Sequence, residues 1–143
     1  MVATRKLLLL IVAIVLLSGC SSELSFSEVS DRGFNKDIQS FIDDVKHENG
    51  VHLYLDDQTD IYVYLNGKNV EQGEKAVHFT DFNVKENSDT LNILFSNAET
   101  TDYLNQSLNY ELLYKVNLDK KYEKIKPFSN GEEVSFGVIS GNQ

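Results

Sequence analysis

VHLYLDDQTDIYVYL, residues 51–65, holds two runs of alternating side chains separated by a polar break. Successive side chains of an extended chain point to opposite faces, so Val51, Leu53 and Leu55 share one face and His52 and Tyr54 the other. The second run repeats the pattern, with Ile61, Val63 and Leu65 opposite Tyr62 and Tyr64. β-Branched and aromatic residues fill both runs, and Asp56-Asp57-Gln58-Thr59 makes a short connection between them. This combination predicts two antiparallel strands joined as a hairpin.

Outward from the hairpin the period changes. In the preceding DRGFNKDIQSFIDDVKHENG, residues 31–50, Phe34, Ile38, Phe41, Ile42 and Val45 recur at helical spacing. A helix is expected over about residues 35–48, with Asp31 as its N-cap and Gly50 as its stop. Its apolar stripe is the face that packs on a sheet, and Val51, Leu53 and Leu55 are expected beneath it.

Downstream, KAVHFTDFNV, TLNILFS, NYELLYKVNL and EEVSFGVIS keep the period of two, and YEKIKPF reads as a short strand ended by Pro127, the only proline. Asn66-Gly67 reads as a turn pair, because both residues tolerate positive φ. No interval is long enough for repeated crossover helices, so the sheet is expected to be mainly antiparallel. The expected fold is α+β, a single domain over residues 31–143: one N-terminal helix packed on a sheet or half-barrel of six or seven strands.

The N-terminus has a different character. MVATRK carries two bases, and LLLLIVAIVLL, residues 7–17, supplies eleven apolar residues. A membrane-crossing helix needs roughly 20, so the run fits the apolar region of a secretory signal. It ends in Leu17-Ser18-Gly19-Cys20, which resembles the lipobox of bacterial prolipoproteins. That resemblance implies a thioether-linked diacylglycerol on Cys20 and cleavage between Gly19 and Cys20. Two acyl chains hold a protein on a bilayer where one does not.

On this reading residues 1–19 are a removed signal peptide, and residues 20–30 are the lipidated cysteine and a serine-rich tether. Phe26 and Val29 are the tether residues able to dock on the domain. The expected location is the outer face of the bacterial cytoplasmic membrane. In outline the remainder is similar to small lipoproteins of Gram-positive bacteria, a likeness of architecture that carries over no residue.

Charge narrows the partners. The whole chain has 13 bases against 22 acids, a net charge of −9; losing Arg5 and Lys6 with the signal leaves 11 bases and a net of −11. Such a balance repels phosphate backbones and anionic lipid, so no nucleic-acid partner is expected. The expected partners are the membrane, through lipid on Cys20, and a protein or cell-wall component. With a single cysteine the chain forms no internal disulfide, and packing must stabilise it.

Motifs for catalysis are not found. The acidic DDQTD, residues 56–60, lacks the glycine and spacing of a calcium loop and reads as a hairpin turn. His47, His52 and His78 form no zinc-type pair, VISGN is not a nucleophile elbow, and no glycine-rich phosphate loop occurs. No catalytic residue, metal ligand or cofactor is assigned. A binding or accessory module is the leading class, and a small envelope enzyme, or an inhibitor of a secreted or envelope protein, is its alternative.

One surface is singled out. If Val77 and Phe79 also face the core, His78 joins His52, Tyr54, Tyr62 and Tyr64 on the outer face. Such rings present apolar faces with polar handles, suited to sugars, peptides or a protein partner. The same pattern arises when cross-strand tyrosines only pack. Lys120, Lys124 and Lys126 share a face of an extended strand, either toward an anionic polymer or as a solvated edge that blocks aggregation.

Overall fold

The computed structural model describes residues 22–30 and 35–141. The opening hairpin is present in the register that alternation predicts. Strand β2 (Gly50–Asp56) pairs antiparallel with β3 (Asp60–Asn66), placing Leu53 beside Val63 and His52 beside Tyr64. Asp57 takes a left-handed φ of 56° in the connecting turn.

The helix α1 (Lys36–Val45) carries Ile38, Phe41, Ile42 and Val45 on its buried stripe. Its N-cap is Asn35, whose side-chain oxygen accepts from the amides of Asp37 at 3.1 Å and Ile38 at 3.0 Å. The expected cap, Asp31, lies outside the described residues. The helix ends at Val45, short of the expected Glu48, and the carbonyls that follow it are taken by side chains from elsewhere. Asn66 Nδ2 donates to the carbonyls of Lys46 and Glu48 at 3.0 and 2.9 Å, and Asn69 Nδ2 donates to Lys46 at 3.0 Å. Asn66-Gly67 is therefore not a positive-φ turn pair. Asn66 is a buried cap for α1, and at Gly67 a Cβ would collide with the Val77 carbonyl oxygen.

Among the described residues there are seven further strands. They are β1 (Ser25–Glu28), β4 (Ala76–Asn87), β5 (Thr90–Thr100), β6 (Glu111–Asn117), β7 (Lys124–Ser129), β8 (Glu132–Glu133) and β9 (Ile139–Gly141). Two sheets result, ordered β1-β6-β3-β2-β9 and β4-β5-β7-β8. Most pairs are antiparallel; β9 on β2 and β7 on β5 are parallel. The α+β class holds broadly, in a mostly β form. The expected single sheet or half-barrel of six or seven strands is corrected to two sheets, with nine strands among the described residues. EEVSFGVIS is not one strand: its start pairs in the second sheet and its end in the first.

The packing also differs. Val51, Leu53, Ile61, Val63 and Leu65 face the second sheet, where they meet Phe79, Leu91, Ile93 and Phe95. The helix lies on the opposite face of the first sheet, against Tyr54, Tyr62, Tyr64 and Leu113. A ten-residue helix spans about 15 Å and buries one stripe. It cannot also supply the cover that the apolar residues of β4 and β5 need, so the two aliphatic sheet faces bury each other.

The serine-rich stretch belongs partly to the sheet. Ser25–Glu28 forms β1 on the edge of β6, and the Val29 amide donates to the Leu113 carbonyl at 2.8 Å. Phe26 lies edge-on to Phe82 at 5.2 Å and to Tyr114 at 6.2 Å between ring centroids. Within the expected tether of residues 20–30, Ser25–Glu28 is thus a strand and Leu24 packs against the core.

Candidate functional site

The predicted face does exist as a set of neighbours, but α1 covers it. His52 is fully buried, and Tyr54, Tyr62 and Tyr64 are buried beneath the helix, with Phe41 against Tyr54 at 5.3 Å. The reading of these residues as an open binding face is corrected: they are the core between helix and sheet. Alternation assigns residues to a face and is silent on what covers it. Tyrosine suits a covered face when its hydroxyl reaches a partner, as when Tyr64 donates to the Glu111 carboxylate. Burial, then that hydrogen bond and the Glu111 charge, raises the Tyr64 phenol well above the ordinary tyrosine range.

His52 Nε2 donates to the Glu48 carbonyl at 3.1 Å, which places the ring proton on Nε2. Its Nδ1 is buried without a partner among the described residues. Gly137 closes over this ring so tightly that a Cβ there would stand 2.7 Å from Cε1. His78 is not part of the group. It lies on β4 in the other sheet, half-buried, with its ring 6.4 Å from that of Tyr110. Gly19 and Cys20, the expected cleavage and lipid-attachment residues, lie outside the described residues.

The acidic stretch 56–60 turns the hairpin, and Asp60 pairs with Lys115 at 3.2 Å, which raises the lysine through their hydrogen bond. Among the described residues no three metal-ligating side chains gather. The lysine run does not form an open basic face. Lys120 binds Glu86 at 2.7 Å and Lys126 binds Glu133 at 3.2 Å.

A concave site stands elsewhere. The loop after β3, residues 67–75, and the loop before β6, residues 101–110, enclose a cleft of about 880 Å³. Val70, Ala76, Tyr103, Leu108 and Tyr110 give it an apolar lining, and Lys68, Glu71, Gln72, Asn109 and Glu111 give it polar groups. Backbone bonds hold the loops in place: Gly67 donates to the Tyr110 carbonyl and Phe79 to the Asn109 carbonyl, both at 2.8 Å. The tyrosines are fixed by their hydroxyls. Tyr103 donates to the Glu74 carbonyl, tying one loop to the other, and Tyr110 donates to the Asp102 carbonyl at 2.9 Å. Anchored at the hydroxyl, each ring keeps its orientation and loses little entropy when a ligand lies on it.

The rim exposes more apolar surface than folding requires. Tyr103 is 50% exposed, and the neighbouring Leu104 is 89% exposed at the loop tip. Glu111 joins this site to the helix-covered core, because it accepts from Tyr64 and lies 3.6 Å from the Lys68 ammonium. The arrangement is suited to reversible association through ring faces, amides and carboxylates. Strand-seeking overlooks residues 101–108, since TDYLNQSL has no period, and it assigns Asn109 and Tyr110 to the strand that in fact starts at Glu111. The available signal was the composition of residues 101–110: two tyrosines and two leucines among polar residues.

The chain matches no family model, no curated protein and no solved structure.

Proposed function

We propose that this chain is a lipid-anchored extracytoplasmic binding or accessory protein of a bacterial cell envelope, and that it binds its partner in the cleft between residues 67–75 and 101–110. The observation that carries the reading is that the cleft-lining Tyr103 and Val70 are left partly in water, with Leu104, next in the chain to Tyr103, almost fully exposed, where both loops are otherwise hydrogen-bonded. Exposed apolar groups around a concavity mark interaction sites more often than scattered ones do. The anchor is supported by the order of basic start, short apolar run and Leu17-Ser18-Gly19-Cys20.

Two variants test the two halves. Cys20→Ala in the full chain, expressed in a bacterium, should abolish the diacylglycerol mass on the protein and release it from the membrane or leave it unprocessed. A processed Cys20→Ala product that stays membrane-bound would refute the anchor. Leu104→Ser combined with Tyr103→Ser should lower the unfolding free energy by no more than about 1–2 kcal/mol, the worth of the lost Tyr103 hydrogen bond, while reducing crosslinking of the anchored protein to its envelope partner. Undiminished crosslinking would refute the cleft.

A further inference from the structure

We infer that the cleft takes a cationic ligand, a lysine- or arginine-bearing segment of a protein or peptide, presented from the side away from the membrane. The inference rests on the cleft-binding reading above and adds its chemistry. The segments from Lys68 to Ala76 and from Glu99 to Glu111 carry two lysines against five acids. Both lysines are already paired, Lys68 with Glu111 at 3.6 Å and Lys75 with Glu99 at 3.3 Å. Among the described residues Glu71, Glu74 and Asp102 form no ion pair. Glu71 lines the cleft together with Tyr103 and Tyr110, and Asp102 precedes Tyr103 in the chain, so the cleft and its margin keep an excess of unpaired carboxylate.

That combination favours an ammonium or guanidinium group. The carboxylates attract it from a distance, and the electron-rich ring faces accept it at close range. The long methylene stem of lysine or arginine covers Val70 and Leu108 while its head stays at the rim. An anionic ligand would meet uncompensated like charge.

Amines also occur on lipid headgroups, and chain geometry argues against that source. Ser25 pairs with Asn117 at one end of β6, whereas the cleft residue Glu111 starts the other end. Six residue steps of strand separate those ends by about 20 Å. Cys20 precedes Ser25 by five residues, a reach of at most about 17 Å when fully extended. Turning the cleft down onto the bilayer would lift Ser25 beyond that reach.

The test uses the full lipidated chain in non-ionic detergent micelles. Fluorescein-labelled decapeptides built from Gly, Leu and Lys, with Arg, Gln and Glu counterparts, are titrated by fluorescence anisotropy at salt below and above about 0.1 M. The Lys and Arg peptides should bind, more weakly at high salt. Glu71→Gln with Asp102→Asn should weaken them about tenfold. Asp57→Asn with Glu123→Gln, which removes the same charge away from the cleft, should leave binding unchanged.

Equal binding of the Gln peptide, or equal loss in the two charge variants, would overturn the inference. An N-acetylglucosamine oligomer that binds in place of the basic peptides, and is lost in Tyr103→Ser, would overturn the cationic ligand while leaving the cleft intact. Basic-peptide binding that survives Tyr103→Ser in a folded protein would overturn both.

Discussion

At the scale of single residues, His52 and Gly137 show how a buried polar ring and an exposed glycine depend on each other. His52 is fully buried, with its ring 6.0 Å from that of Tyr64 and one nitrogen bonded to the Glu48 carbonyl. Gly137 lies over the ring, and its amide donates to the Val51 carbonyl at 2.9 Å. A methyl at Gly137 would overlap Cε1 and Nδ1, at 2.7 and 2.9 Å, and neither the buried ring nor the hydrogen-bonded backbone is free to yield. Gly137→Ala should therefore cost about 1–3 kcal/mol despite its surface position. Removing the ring removes the obstacle, so in a His52→Ala background the same change should cost much less. Urea unfolding of the four proteins of that cycle measures the coupling, and additive costs would show that the ring and the glycine do not oppose each other.

Among the elements, β1 is where expectation and structure diverge most instructively. SSELSFSEVS has the composition of a tether, and its serines carry no strand signal. It becomes a strand because β6 offers an open edge and because Phe26 finds Phe82 and Tyr114, themselves stacked at 3.8 Å. Long-range pairing here overrides local propensity. Phe26→Ala should lower stability by about 1–2 kcal/mol, the worth of an aromatic contact at a partly exposed site. Ser27→Ala, on the same strand, should change it by less than about 0.5 kcal/mol. If residues 20–30 were a free spacer, both substitutions would be silent in chemical denaturation. The helix shows the converse. Its stripe of Ile38, Phe41, Ile42 and Val45 was legible from spacing alone, but its end was not, since Asn66 and Asn69 cap it from 20 or more residues away.

At the scale of the whole molecule, both faces of the first sheet are buried, and tyrosine phenols titrate with the fold. Tyr64 is raised by burial and by Glu111, and Tyr122 by burial and by its 2.6 Å bond to Asp119. A folded pKa above the unfolded value of about 10 means that the unfolded chain ionises first. The stabilisation is complete below about pH 10 and is lost as pH rises through and beyond it. The urea midpoint should be nearly flat from about pH 7 to about pH 9 and then fall steeply. Tyr64→Phe with Tyr122→Phe should begin about 2 kcal/mol lower, roughly one hydrogen bond each, and fall less steeply above about pH 10. A parallel decline in the variant would show that other groups govern alkaline unfolding. By itself the sequence determined what is local: the hairpin, the two faces of its alternation, the helical stripe, the acidic balance, and the expectation of a lipid on Cys20. Only the tertiary structure decided that a second sheet covers the aliphatic face, that the helix seals the tyrosines while Gly137 closes over His52, and that two loops line a cleft. The reason is physical: periodicity records how neighbouring side chains are directed, whereas cover is settled by which distant surface has the area and shape to exclude water.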